Sequence, residues 1–129
     1  MNEVLLSIGS NVTPRRDRVA AALESIGSLL DDSMASDIYE TPEIHGIGRP
    51  YMNAVVRGRT DMGFERLKET TKRIELEAGR DADARERGDV HVDIDIVVWN
   101  GVVLRPNDFR QPFFRIGAGM IGILQDFRS

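Results

Sequence analysis

The sequence predicts an α+β fold, an antiparallel sheet with two helices on one face. Three observations predict it. Segments of strand period and helix period alternate in the order β-α-β-β-α-β. The strongest strand signal, over residues 90–99, runs into Asn100-Gly101, a two-residue hairpin turn. The chain has 129 residues, 41% hydrophobic and 29% charged, which suits one globular domain.

The elements follow in order. Residues 3–8 are rich in Val, Leu and Ile and predict a short, mostly buried strand, ended by Gly9-Ser10-Asn11. Thr13 before Pro14 predicts an N-cap and a first helical residue. Val19, Ala22, Leu23, Ile26, Leu29 and Leu30 carry helical spacing, so this helix is expected over 14–30. Residues 33–41 predict a second strand, closed by Pro42, and 43–50 a flexible loop with two glycines. A third strand is expected over 51–59, with Tyr51, Asn53, Val55 and Arg57 on one face. Phe64, Leu67, Thr71, Ile74 and Ala78 place a second helix over 62–78, with Gly79 as its C-terminal cap. Residues 80–89 have no hydrophobic period and predict a mobile loop or a ligand lid. Residues 90–99 form the next strand, 102–104 begin its return, and 111–129 hold a short helix or an irregular tail. The pattern is the ferredoxin-like split βαβ arrangement with an added C-terminal hairpin, expected as a single domain over 1–129.

Composition removes several function classes. There is no cysteine, which excludes disulfides, thiolate metal sites and Cys nucleophiles. The two histidines, His45 and His91, make a poor zinc set. No apolar run approaches the roughly 20 residues of a membrane helix. The start lacks the basic region of a secretory signal, so a cytoplasmic protein is expected. Seventeen basic against 21 acidic residues give a net charge of −4, the wrong sign for a nucleic-acid binder. Nothing specifies an oligomer, and a monomer is favoured.

The chemistry concentrates in Val92-Asp93-Ile94-Asp95-Ile96-Val97-Val98. Val92, Ile94, Ile96 and Val98 are expected on one face and both aspartates on the other. Residues two apart on a strand lie about 6.6 Å apart, so the two carboxylates can converge on magnesium ions holding a polyphosphate. A solvated strand face is the bland alternative. Gly9-Ser10-Asn11 precedes a helix and suits an anion or ligand edge, although such junctions favour these residues on conformational grounds. Tyr51 and Asn53 share a strand face and offer a ring and an amide to a heterocycle. Lys72 and Glu75 read as an ordinary i,i+3 pair. His91 shares the face of Asp93 if the strand starts there, and Arg85 and Arg87 are phosphate-clamp candidates within a charged run.

Five motifs in order resemble the 6-hydroxymethyl-7,8-dihydropterin pyrophosphokinase family: Leu6-Ser7-Ile8-Gly9-Ser10-Asn11, Tyr39-Glu40-Thr41-Pro42, Tyr51-Met52-Asn53-Ala54, Arg73-Ile74-Glu75 with Gly79-Arg80, and Val92-Asp93-Ile94-Asp95-Ile96. The resemblance covers residues 3–104 and is to a short, divergent member. It implies transfer of pyrophosphate from ATP to the hydroxymethyl oxygen of the pterin, in folate biosynthesis. It further implies that Asp93 and Asp95 hold two magnesium ions, and that Thr41, Pro42, Tyr51 and Asn53 hold the pterin. Lys72, Glu75, Arg80 and His91 are then expected at the nucleotide. Asp93, Asp95 and Arg80 are the expected catalytic set, and Arg85 and Arg87 are candidate lid contacts.

The sequence also departs from that family. Where the family carries Gly-Pro-Arg-Thr before its aspartates, this chain carries Gly88-Asp89-Val90-His91, and Arg87 replaces a lid Trp. A Val-Pro-His segment falls at Gln111-Pro112-Phe113, so its His is absent; Arg115 is a candidate substitute, and Phe113 or Phe114 a candidate stacking partner for the pterin. Each lost charged hydrogen bond is worth roughly 1.5–3 kcal/mol. Two readings follow: a magnesium-dependent pyrophosphokinase of reduced activity, or a pterin- or nucleotide-binding module that keeps the fold without the chemistry.

Overall fold

The computed structural model describes residues 1–79, 83–84 and 86–123. The strands are β1 (Asn2–Ser10), β2 (Asp31–Ala35), β3 (Tyr39–Thr41), β4 (Tyr51–Thr60), β5 (Asp93–Trp99) and β6 (Val102–Val103). The helices are α1 (Arg15–Gly27), α2 (Phe64–Glu77), α3 (Pro106–Phe109) and α4 (Pro112–Met120). The sheet runs in the order β2-β4-β1-β5-β6, and β3 also pairs with β4. Every pairing is antiparallel. The α1 crossover leads from β1 to β2 past β4, and the α2 crossover from β4 to β5 past β1. These are the two interleaved crossovers of the predicted ferredoxin-like core. Among the described residues no helix is long and apolar enough to cross a membrane.

Strand alternation builds two cores. Val4, Leu6 and Ile8 of β1 join Ala54 and Val56 of β4 and Ile94 and Ile96 of β5 beneath Val19, Ala22 and Ile26 of α1 and Leu67 of α2. On the opposite face Leu5, Val55 and Val97 meet Phe114 and Ala118 of α4. The sheet is therefore covered on both faces, and α4 is the element the sequence left as a short helix or a tail. Its packing is close. A methyl group on Gly117 would stand 2.6 Å from Tyr39 Oη and 2.7 Å from Val55 Cγ2.

Several boundaries differ from expectation, for physical reasons. Thr13 does not cap α1: the helix begins at Arg15 with Pro14 at the cap position and no side-chain hydrogen bond there. The expected strand over 33–41 is broken at Ser36, whose hydroxyl accepts the Val55 amide at 2.9 Å in place of a ladder carbonyl. The strand expected from residue 90 starts at Asp93, because Val90 is bonded to Asn11 instead. Val98 does not share the face of Ile94 and Ile96. The β1–β5 register shifts by one residue between Leu5 and Leu6, and this bulge turns Val98 to the α4 side. The hairpin at Asn100-Gly101 forms as predicted, both residues having positive φ (48° and 80°), the backbone such a turn requires.

Candidate active site

Register places the candidate residues. Gly9 on the central strand β1 lies opposite Asn53 of β4 and Asp93 of β5, and Ser7 lies opposite Asp95. Since side chains alternate, Tyr51, Asn53, Asp93 and Asp95 share the face that α4 covers. They lie on β4 and β5, the two strands that flank β1, with neighbouring strands about 4.8 Å apart. They line one cavity of about 230 Å³ with Ser7, Gly9, Thr41, Pro42, Glu43, Arg105, Asp108 and Phe113. The four residues expected at the heterocycle and the two expected at the metal thus meet in one space.

The heterocycle end is held by short bonds. Asn53 is buried, and its amide nitrogen donates to Thr41 Oγ1 at 2.7 Å. Tyr51 stands beside it, its phenol pushed up by burial and then by the charge of Asp93. Phe113, at the start of α4, closes the wall. Tyr39 fixes that wall: its hydroxyl donates to the Phe113 carbonyl at 2.5 Å and accepts from the Gly117 amide at 3.0 Å.

The carboxylate end is electrostatically tense. Burial, followed by the charge of Asp93 and a hydrogen bond with it, pushes the Asp95 carboxyl up to about 8, and Arg105 opposes this. Arg105 Nη1 is 3.8 Å from Asp95 Oδ1, and its Nε donates to Asp108 Oδ2 at 2.5 Å. Two crowded hard-oxygen donors, one of them raised beside the other's charge, fit a divalent cation such as magnesium, which takes one or two carboxylates and completes its shell with water and phosphate. Among the described residues no group of three or more His, Cys, Asp or Glu stands ready to hold a metal.

A second cavity of about 310 Å³ lies along the outer edge of β5, beyond the short β6. Phe64, Lys68, Thr71 and Lys72 of α2 line it with Ile94, Ile96 and Leu104. Asp95 and Arg105 line both cavities.

Other predicted residues lie elsewhere. Glu75 is 3% exposed and turned inward, where Oε2 accepts the Ile94 amide at 2.7 Å; it steadies the strand between the two aspartates and lines neither cavity. His91 precedes β5 and does not share the strand face of Asp93. Its ring lies against Gly79, and Nδ1 is buried without a partner among the described residues. Arg87 donates to Asp89 Oδ2 at 2.9 Å. Arg80 and Arg85 lie outside the described residues. Asn11 binds the Gly88 carbonyl at 2.8 Å and the Val90 amide at 2.7 Å and so anchors the loop before β5, while Gly9 of the same motif lines the first cavity. Sequence reasoning missed Arg105, Asp108 and Glu43. Arg105 and Asp108 are spaced i,i+3 around a Pro at a helix start, a signal that was readable but carried no strand or motif context.

A family model described as 7,8-dihydro-6-hydroxymethylpterin-pyrophosphokinase matches residues 5–117, a span that includes every described residue lining these two cavities. The chain belongs to that pyrophosphokinase family. A 2-amino-4-hydroxy-6-hydroxymethyldihydropteridine pyrophosphokinase of Aquifex aeolicus is 29% identical over 117 residues, covering 87% of this chain and 70% of that protein. One of Porphyromonas gingivalis is 34% identical over 101 residues, covering 74% and 67%. A folate synthesis bifunctional protein of Arabidopsis thaliana is 31% identical over 99 residues, 75% of this chain but 20% of that protein. The chain thus spans about a fifth of the length of such bifunctional relatives. The family's motifs fall on the walls of the first cavity, from Ser7 and Gly9 through Thr41, Tyr51 and Asn53 to Asp93 and Asp95.

Proposed function

We propose that this chain transfers pyrophosphate from ATP to the hydroxymethyl group of 6-hydroxymethyl-7,8-dihydropterin. The observation that carries the reading is the register around Gly9, which sets an amide-and-aromatic end and a two-carboxylate end on one face of one cavity. The Asn53 amide and the rings of Tyr51 and Phe113 suit a flat, polar-edged bicycle. Lys68 and Lys72 supply positive charge to the second cavity, which is the nucleotide side in this reading.

The chemistry asks chiefly for positioning and charge neutralisation. The pterin hydroxymethyl oxygen forms a bond to the β-phosphorus of ATP. The bond from that phosphorus to the oxygen bridging the α-phosphorus breaks, AMP leaves, and the hydroxyl proton passes to a carboxylate or to water. Thr41 holds the Asn53 amide and so fixes the ring's edge. Glu75 holds β5 and so fixes the separation of Asp93 and Asp95. Those two aspartates are the ligands for magnesium, two ions in this reading, which offset the triphosphate charge when bound.

Incubation with magnesium-ATP and the hydroxymethyl-dihydropterin tests the proposal. AMP should form, and Asp95→Ala should lower its rate at least ~100-fold, the scale for removing one electrostatic stabiliser. ADP in place of AMP would contradict pyrophosphoryl transfer. Pterin binding without AMP would favour the binding-module reading, which Val90, an uncharged residue in the loop, keeps in play.

A further inference from the structure

A group passing from the nucleotide cavity to the heterocycle cavity must cross the wall the two share, which among the described residues is Asp95 and Arg105. Asp95 alone would repel a phosphate. Lys68 and Lys72 line only the second cavity, so among the described residues Arg105 is the cation common to both. Its placement is built. Arg105 is the N-cap residue of α3, two residues after β6, and Asp108 one turn on accepts its Nε–H. That bond fixes the plane of the guanidinium. Nη1 stands 3.8 Å from Asp95, beyond hydrogen-bond length, so the terminal nitrogens keep donors for a ligand. A guanidinium locked at one edge by a carboxylate, with its other donors over the junction of two cavities, has the planar fork that phosphate oxygens fit.

We infer that Arg105 is the residue that grips the β- and γ-phosphates as they cross between the cavities, with Asp108 as the positioning residue that holds its fork. This rests on the pyrophosphoryl-transfer reading for the identity of the moving group. Arg105 acts on the part of the nucleotide that is transferred and leaves the AMP portion to the lysine-lined cavity.

The test compares two ligands on the full chain in magnesium: α,β-methylene ATP, which cannot be cleaved at the reacting bridge, and AMP. Arg105→Gln should weaken the analogue about 10- to 100-fold by calorimetry, the size of a lost charged contact. It should leave the dissociation constants of AMP and of the pterin within about twofold. Arg105→Lys keeps the charge without the fork and should recover part of the loss. In turnover, Arg105→Gln should lower kcat with the pterin KM unchanged. Parallel weakening of analogue and AMP, or no change in either, would overturn the assignment. Should the wild type form no AMP while Arg105→Gln still weakens the analogue selectively, the transfer reading falls and the phosphate contact stands.

Discussion

Tyr39 carries two elements on one oxygen. Its hydroxyl donates to the Phe113 carbonyl and accepts from the Gly117 amide, joining β3 to α4. Burial pushes its pKa up to about 12, and the Gly117 amide pulls the other way. The sign of the linkage follows. A phenol whose folded pKa exceeds its unfolded value of about 10 keeps its proton in the folded state where the unfolded chain loses it. Its stabilisation is whole below pH 10 and is lost as pH rises towards 12. Tyr39→Phe should cost roughly 1–2 kcal/mol at pH 7, because the Gly117 amide and Phe113 carbonyl lose a partner. It should also flatten the decline in stability between pH 10 and 11 relative to wild type. Urea unfolding at the three pH values measures both, and an unchanged slope in the variant would refute the account. Residue roles were unevenly legible in the sequence. Asp93, Asp95, Tyr51 and Asn53 were readable because strand alternation alone puts each pair on one face. Glu75 was readable only in part: its i+4 and i+8 spacing from Thr71 and Leu67 puts it on the inward face, but no spacing rule says that its carboxylate takes a strand amide.

At the scale of elements, Asp89 ties two loops. Its carboxylate accepts from Arg87 and from Arg49, and these two, Arg87 first, hold it below the usual carboxylate range. Arg49 belongs to the segment between β3 and β4 and also reaches the Gly88 carbonyl at 3.2 Å. The tie therefore joins residues 43–50, which carry Glu43 of the first cavity, to residues 87–90 before β5. Asn11 anchors the second segment independently. Asp89→Ala should thus speed amide exchange in 43–50 several-fold, change 88–90 little, and leave the melting temperature nearly unaltered, since exposed ion pairs add little stability. High salt should reproduce the effect in the wild type. Unchanged exchange over 43–50 in Asp89→Ala and in the wild type at high salt would show that the loops are held by other means. The elements themselves were largely legible, because hydrophobic period sets β1, α1, β4, α2 and β5. What escaped were choices made by tertiary contacts: the Ser36 hydroxyl that splits one strand, the bulge that turns Val98 over, and the docking of α4.

Over the whole molecule, the sheet separates two environments that the proposed reaction needs together. The heterocycle cavity lies on the α4 face and the lysine-lined cavity along the β5–α2 edge; among the described residues only the wall of Asp95 and Arg105 belongs to both. The two sides should therefore be separable by mutation, and Gly117 is the place to test it. A side chain there would meet Tyr39 Oη at 2.6 Å and Val55 Cβ at 2.9 Å, and Val55 is buried on the sheet. Neither neighbour can retreat, since Tyr39 is bonded to Phe113 and the Val55 backbone lies in the ladder beside β1. Gly117→Ala should push α4 away from the sheet, at a cost of roughly 1–3 kcal/mol for overpacking. Phe113 moves with that helix, so the pterin should bind several-fold more weakly. Affinity for AMP should hold, because Lys68, Thr71 and Lys72 sit on α2, which packs on the other face. Thermal unfolding and separate titrations of pterin and nucleotide read the three effects. Equal weakening of both ligands would mean that α4 supports the sheet as a whole, and the independence of the two cavities would fail with it.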